Sequence, residues 1–311
     1  MLSRKHLIGS LVSIAIFAVA AWVLFDMVRT YDMQEVWAAF HGIALRRIVY
    51  AELATIGIYA IMGTYDMLAV LYFKHDVSFP RVFFASLIAS IFSYAVGLAL
   101  VTGGAVRYRI YSDAGLNNSD IAKIIAFGFT TFTLCLFLIS GVTMLIAPDT
   151  LAHLIFLPER TIQMIGVLLL VPVVAYLATS LLHAGQDIRV FGKEVHVPSF
   201  KISFSQILLS GGEVILTGSV LYFLLPPSDA LSLSAFLGLY IIMQVVTFAA
   251  QIPGGIGVFD AMVLLLLGNF YAPETVFAAV LAFRILFYVI PLAASSLALV
   301  VYESRWRGKV Q

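Results

Sequence analysis

Seven ionisable residues stand inside long apolar runs: Glu52, Asp66, Arg107, Arg109, Glu213, Asp260 and Arg284. A charge in such a run is costly to desolvate, so these residues are expected to face one another or a wet cavity and to mark a substrate or ion path. Acids and arginines together suit a ligand carrying both signs: guanidinium takes phosphate, and carboxylate takes ammonium. A structural ion pair, such as Arg284 with Asp260 or Glu213, is the plainer use of the same residues.

Two glycine pairs accompany the charges. In Gln251-Ile-Pro-Gly-Gly-Ile-Gly-Val-Phe-Asp260 an apolar stretch breaks at Pro253, Gly254 and Gly255 and restarts as a helix carrying an acid. In Val101-Thr-Gly-Gly-Ala-Val-Arg-Tyr-Arg-Ile-Tyr111 the break falls at Gly103 and Gly104, and the following helix carries Arg107 and Arg109. A helix that starts at such a break offers free N–H groups to an anion. The first copy therefore suits a phosphodiester, and Asp260 in the second suits an ammonium. The alternative is that the glycines are kinks or close-packing points. Tyr50, Tyr59, Tyr65, Tyr108 and Tyr111 surround the charged positions and are candidates to line a polar path.

The elements that must carry these residues are membrane helices. Hydrophobic residues make up 62% of the chain and charged ones 11%, with a mean hydropathy of +1.03, far from the soluble norm of about a quarter charged. The fold class is all-α, a polytopic integral membrane protein. Runs near the roughly 20 residues needed to cross are 7–25, 48–73, 82–101, 121–147, 162–182, 207–225, 231–250 and 276–302, giving eight spans. The first is read as a retained helix rather than a cleaved signal. Two shorter segments, 103–116 and 256–270, cross obliquely or re-enter.

Lysine and arginine placement favours crossing. It puts Arg4, Lys5, Lys74, Arg81, Lys123, Arg189, Lys193, Lys201, Arg305, Arg307 and Lys309 inside, and only Arg29, Arg46, Arg47 and Arg160 outside. Both termini are then cytoplasmic, and the single transmembrane domain divides into inverted repeats, 1–147 and 162–302. Glu52-Leu-Ala-Thr-Ile-Gly-Ile-Tyr59 matches Glu213-Val-Ile-Leu-Thr-Gly-Ser-Val220, and the glycine pairs follow in the same order. Glu52 and Glu213 become pseudo-equivalent, near opposite membrane faces. The connection 183–201 reads as a loop without a motif.

Several classes are disfavoured. A net charge of +1 makes no case for nucleic acid, the lone Cys135 forms no disulfide framework, and the six histidines lack metal-ligand spacing. No P-loop is present, so ATP is not expected as a cofactor. Tyr65-Asp66 with Asp260 could form a proton-sharing acid pair like that of intramembrane aspartyl proteases. Gly257-Val-Phe-Asp260 departs from that family's Gly-x-Gly-Asp, however, and no catalytic residue is assigned.

The stretch from Gly97 to Tyr111 and the string Pro253-Gly-Gly-Ile-Gly-Val-Phe-Asp260 resemble the lysylphosphatidylglycerol synthase transmembrane family. This is the flippase part of multiple peptide resistance factor, with its stand-alone relatives. Members commonly have Glu after that Phe, and Asp260 keeps the charge. The resemblance implies a bacterial inner-membrane flippase for lysyl-phosphatidylglycerol or a related phospholipid, protecting against cationic antimicrobial peptides, and not an enzyme in itself. It leaves open a homo-oligomer, a separate aminoacyltransferase partner or a C-terminal synthase domain not seen before Gln311. The alternatives are a transporter of small amphiphiles or ions and a scaffold for such a transferase.

Overall fold

The computed structural model describes residues 32–96, 99–155, 157–190, 193–249 and 257–307. The first expected span, 7–25, lies outside them, as do Pro253, Gly254 and Gly255. The described chain is helical apart from one hairpin. Its helices are α1 (Met33–His41), α2 (Leu45–Tyr72), α3 (Phe79–Val96), α4 (Ala99–Asp113), α5 (Asn118–Ile146), α6 (Pro148–Ile155), α7 (Glu159–Leu182), α8 (Phe200–Leu224), α9 (Leu233–Ala249), α10 (Val258–Leu267), α11 (Pro273–Arg284) and α12 (Ile290–Arg307). A π-helical turn, Ile285–Val289, joins α11 to α12.

Among the described residues five helices are long and apolar enough to cross a membrane: Leu45–Phe73, Asn118–Ile146, Glu159–Leu182, Phe200–Leu224 and the joined Pro273–Ser304. Phe79–Ala95, Leu233–Val245 and Val258–Leu267 are shorter apolar helices. Each expected span within the described residues is thus helical.

Local chemistry sets the helix starts. Asn117 caps α5, its side chain accepting from the Asp120 N–H at 3.0 Å, and Lys123 pairs with Asp120 one turn on. Asp32 caps α1 in the same way. Pro273 opens α11, where its missing N–H costs nothing. At Gly257 the chain enters α10 with φ of +87°, a region that glycine reaches without strain.

Three expectations change. The helix expected to start at Gly103 and Gly104 already begins at Ala99, so both glycines lie inside it with their N–H groups in the helical ladder. Gly103 instead allows close packing, since a Cβ there would sit 2.9 Å from the Ala89 carbonyl of α3 and collide with the Ser93 hydroxyl. The connection 183–201 holds an antiparallel hairpin, β1 (Asp187–Val190) with β2 (Lys193–His196), in the register Asp187↔His196. It is tied to α2 by the Tyr72 hydroxyl, which donates to the His196 carbonyl. The short helices α1 and α6 had no sequence-based counterpart.

The described residues fall into two compact units. One takes the chain up to Leu53 with Ser219–Ile290, and the other takes Ala54–Gly218 with the chain from Pro291. Each unit draws on both halves of the sequence. In the first, α1 lies on α11 through Val36, Phe277 and Ala278, and aromatic rings run from Tyr222 through Phe236, Tyr240, Phe259 and Phe283 to Phe287. In the second, Val82, Ala85 and Ile88 of α3 pack with Val106 and Ile110 of α4 and Ile121 and Ile124 of α5.

In that second unit α5 and α7 meet at Gly141 and Gly166. A Cβ on Gly141 would come within 2.8 Å of the Gly166 carbonyl and 2.7 Å of Leu170 Cγ. Gly141→Ala is therefore expected to destabilise by about 1–3 kcal/mol, because backbone cannot give way as a side chain can. Thermal unfolding in detergent reads this directly; an unshifted midpoint would mean that the close approach is not kept.

Candidate functional site

In the second unit, α2 presents two neighbours, Tyr65 and Asp66, to different partners. Asp66 is 1% exposed and accepts from Arg107 Nε at 2.8 and 3.1 Å through its two oxygens. The Tyr111 hydroxyl adds a third bond at 2.8 Å. Arg107 and Tyr111 are four apart on α4, so one helix face supplies both donors. Ser86 of α3 donates to the Met62 carbonyl and stands 3.3 Å from the Asp66 N–H, fixing the backbone beneath the pair. Arg107 holds Asp66 through Nε alone. Among the described residues neither of its terminal nitrogens donates to a protein acceptor, and its side chain is 13% exposed.

Tyr65 turns to Glu213 of α8. Its hydroxyl donates to Oε2, and the Tyr94 hydroxyl of α3 donates to Oε1. Glu213 is buried, and among the described residues no cation pairs with it. A carboxylate removed from water and served only by neutral donors is under-compensated, since burying a charge without an opposite charge is expensive. Consecutive residues of α2 thus hold an arginine with an unused fork and an acid lacking a cation.

The first unit carries a second buried pair. Arg284 meets Asp260 through Nη2, at 2.7 Å to each oxygen, and through Nε at 3.1 Å. Asp260 also accepts from the Gly257 N–H at 2.9 Å, capping α10. The Tyr288 ring centroid is 5.9 Å from the guanidinium carbon. The charge order is reversed between the units. In one the short helix brings the arginine, and in the other it brings the acid. Asp66 and Asp260 belong to different units, and each is held by its own arginine.

Arg109 departs from expectation. It pairs with Glu303 at 2.7 Å and Asp113 at 2.9 Å and is 42% exposed, so it does not join Arg107. Two residues apart on a helix point to opposite sides. Glu52 belongs to the first unit, half-buried, and its buried Oε2 meets no donor among the described residues. Of the path tyrosines, Tyr65 and Tyr111 bind the buried acids, Tyr59 is buried, and Tyr50 and Tyr108 are exposed. Sequence reasoning missed Tyr94, Ser86, Asp113 and Glu303. No group of three or more potential metal ligands occurs among the described residues.

Apolar helices of spanning length with charges paired in their interiors define a polytopic membrane protein. The chain belongs to the family described as the lysylphosphatidylglycerol synthase TM region, whose model matches residues 10–295. An uncharacterised protein of Synechocystis sp., slr0712, is 32% identical over 277 residues, covering 88% of this chain and 84% of its own length. Inner membrane protein YbhN of Escherichia coli K12 is 29% identical over 295 residues, covering 93% of this chain and 91% of its own.

Proposed function

We propose that the protein moves phospholipid headgroups between the leaflets of a bacterial inner membrane, with an aminoacylated phosphatidylglycerol as the favoured cargo. The observation that carries this reading is that consecutive residues of α2, Asp66 and Tyr65, hold respectively Arg107, whose terminal nitrogens are open among the described residues, and Glu213, which has two phenols and no cation among them. A headgroup bearing phosphate and ammonium supplies both missing partners at once. Acyl chains stay in the bilayer, so only the headgroup needs a polar route. Asp260 with Arg284 is the counterpart in the other half of the sequence, in a topology of two inverted halves with cytoplasmic termini. No bond-making step is assigned, and the direction of movement comes from lipid asymmetry or an ion gradient. Family membership supports the cargo class, and the name of the Escherichia coli relative, inner membrane protein YbhN, supports the inner membrane.

Glu213→Gln is the test, in liposomes containing labelled lysyl-phosphatidylglycerol and phosphatidylglycerol. A hydrogen bond to a charged group contributes about 1.5–3 kcal/mol, so preference for the aminoacylated lipid should fall roughly tenfold to a hundredfold. Exchange of plain phosphatidylglycerol should change little. An unchanged ratio in the folded variant removes Glu213 from headgroup recognition. A free amine or inorganic cation also fits a cation-less acid, and uptake of such solutes without lipid exchange would establish that second reading.

A further inference from the structure

Asp66 and Asp260 each answer an arginine, whereas Glu213 answers two phenols. A guanidinium can only donate, so it suits a carboxylate alone; a phenol donates or accepts and can serve either protonation state of an acid. Among the described residues the titratable groups around Glu213 are Tyr65 of α2, Tyr94 of α3 and the Cys135 thiol of α5, all within the second unit. Its own helix adds Thr217, whose hydroxyl donates to the Glu213 carbonyl at 2.7 Å, and Ser210. None of these is a cation. Burying a bare carboxylate among them is costly, and burying the acid form is not, provided that its O–H finds an acceptor. Ser210 makes that acceptor available. It is 4% exposed and stands beside the Tyr65 hydroxyl and the Cys135 thiol, and its oxygen has no hydrogen-bond partner among the described residues. When Tyr65 turns its proton to Ser210 Oγ, the phenol oxygen can accept the Glu213 O–H. Rotation of one hydroxyl thus exchanges one hydrogen-bond set for the other, and the idle Ser210 oxygen has its use in the neutral state.

We infer that Glu213 is a proton carrier: it holds a proton in the empty protein and gives it up when the ammonium of a headgroup arrives, so that proton and lipid are exchanged. This rests on the headgroup reading of Glu213 given above. As the lipid enters, the carboxyl O–H bond breaks, the proton passes to water on that side of the membrane, and the carboxylate pairs with the ammonium. On the other side a proton from water restores the acid as the lipid leaves. Each outward lipid is then matched by an inward proton. For a lipid of one net positive charge the exchange moves no net charge, so the membrane potential does not oppose export and the pH gradient sets the direction. Carrying protons is among the uses of acids inside membranes, and among the described residues Glu213 is the acid that hydrogen-bonds to two phenols.

The resting state is read by infrared difference spectroscopy of the full chain in an ester-free detergent at neutral pH, wild type minus Glu213→Gln. A protonated-carboxyl band is expected, and Ser210→Ala should move its titration to lower pH by withdrawing the acceptor on which the acid form depends. The exchange is read with a pH indicator in weak buffer. Lysyl-phosphatidylglycerol should release protons from the wild type in step with occupancy, beyond any release seen with Glu213→Gln, and phosphatidylglycerol should release none. In vesicles an imposed pH gradient should drive labelled lysyl-phosphatidylglycerol toward the acidic side, and Glu213→Gln should abolish that drive. Absence of the carboxyl band, lipid binding without proton release, or a lipid distribution indifferent to the pH gradient would overturn the exchange. The two readings fail separately. Where preference for the aminoacylated lipid depends on Glu213 and no proton is released, recognition stands and the exchange falls; where folded Glu213→Gln keeps the preference, recognition fails and the exchange with it.

Discussion

Asp66→Asn, with Arg107 left in place, is expected to destabilise the folded protein by about 3–5 kcal/mol, since the substitution strands a buried guanidinium without its counter-charge. Arg107→Ala should cost a similar amount by stranding the carboxylate, which is the more deeply buried partner. Removing both charges is different. Asp66→Asn with Arg107→Gln should recover most of the loss, because a neutral pair carries no large desolvation penalty. Tyr111→Phe removes one bond to Asp66 and is worth about 1.5–3 kcal/mol as a hydrogen bond to a charged group. These changes are read by thermal unfolding in detergent with size-exclusion detection. The neutral double variant then separates structure from function. It is expected to fold and to have lost exchange of every phospholipid, since phosphate is common to them all and Arg107 carries the open fork. Wild-type melting of the single variants would show that the pair contributes nothing to the fold. Wild-type exchange by the double variant would remove Arg107 from the transfer route.

Membrane chemistry explains which parts of this arrangement were legible in the sequence. Hydrocarbon makes each internal charge expensive, so Asp66, Arg107, Glu213, Asp260 and Arg284 stood out against a chain with 11% charged residues. Their pairing did not. Asp66 and Arg107 are separated by 41 residues and Arg109 and Glu303 by 194, and uniformly apolar helices give little periodic signal to fix which faces meet. The pairing of Asp260 with Arg284 was the exception, because it was weighed as the structural use of both residues. Tyr94 was hidden by ubiquity, as aromatic residues are common in membrane helices for reasons of interface and packing.

Glycine pairs also carried two readings. Gly103 lies where α4 presses on α3, and the absence of Cβ serves packing rather than a helix start. The hairpin in the 183–201 connection was missed because four-residue strands offer only two alternations each, too few to separate from a polar loop. The helix α1, which exposes Trp37 beside Phe40 and His41, was too short for a search tuned to spanning length.

The Asp260 site should respond differently from the Asp66 site, because Asp260 holds a helix start as well as an arginine. Asp260→Asn keeps an oxygen able to accept from the Gly257 N–H but removes the charge facing Arg284, so a cost of about 3–5 kcal/mol is expected. Asp260→Ala loses the cap too, adding about 1 kcal/mol. Arg284→Lys should remain destabilising, since a single ammonium cannot reproduce the contacts made by Nη2 and Nε together. The discriminating comparison is between two double variants. Asp260→Asn with Arg284→Gln removes both charges and retains the cap, and it should recover most of the loss. Asp260→Arg with Arg284→Asp restores opposite charges in reversed order, yet arginine has no acceptor for the Gly257 N–H and adds positive charge where the helix start already carries it. The reversed pair should therefore stay well below the neutral one in unfolding midpoint and in folded yield. Equal rescue by both would show that pairing alone governs Asp260 and that the cap on α10 contributes nothing.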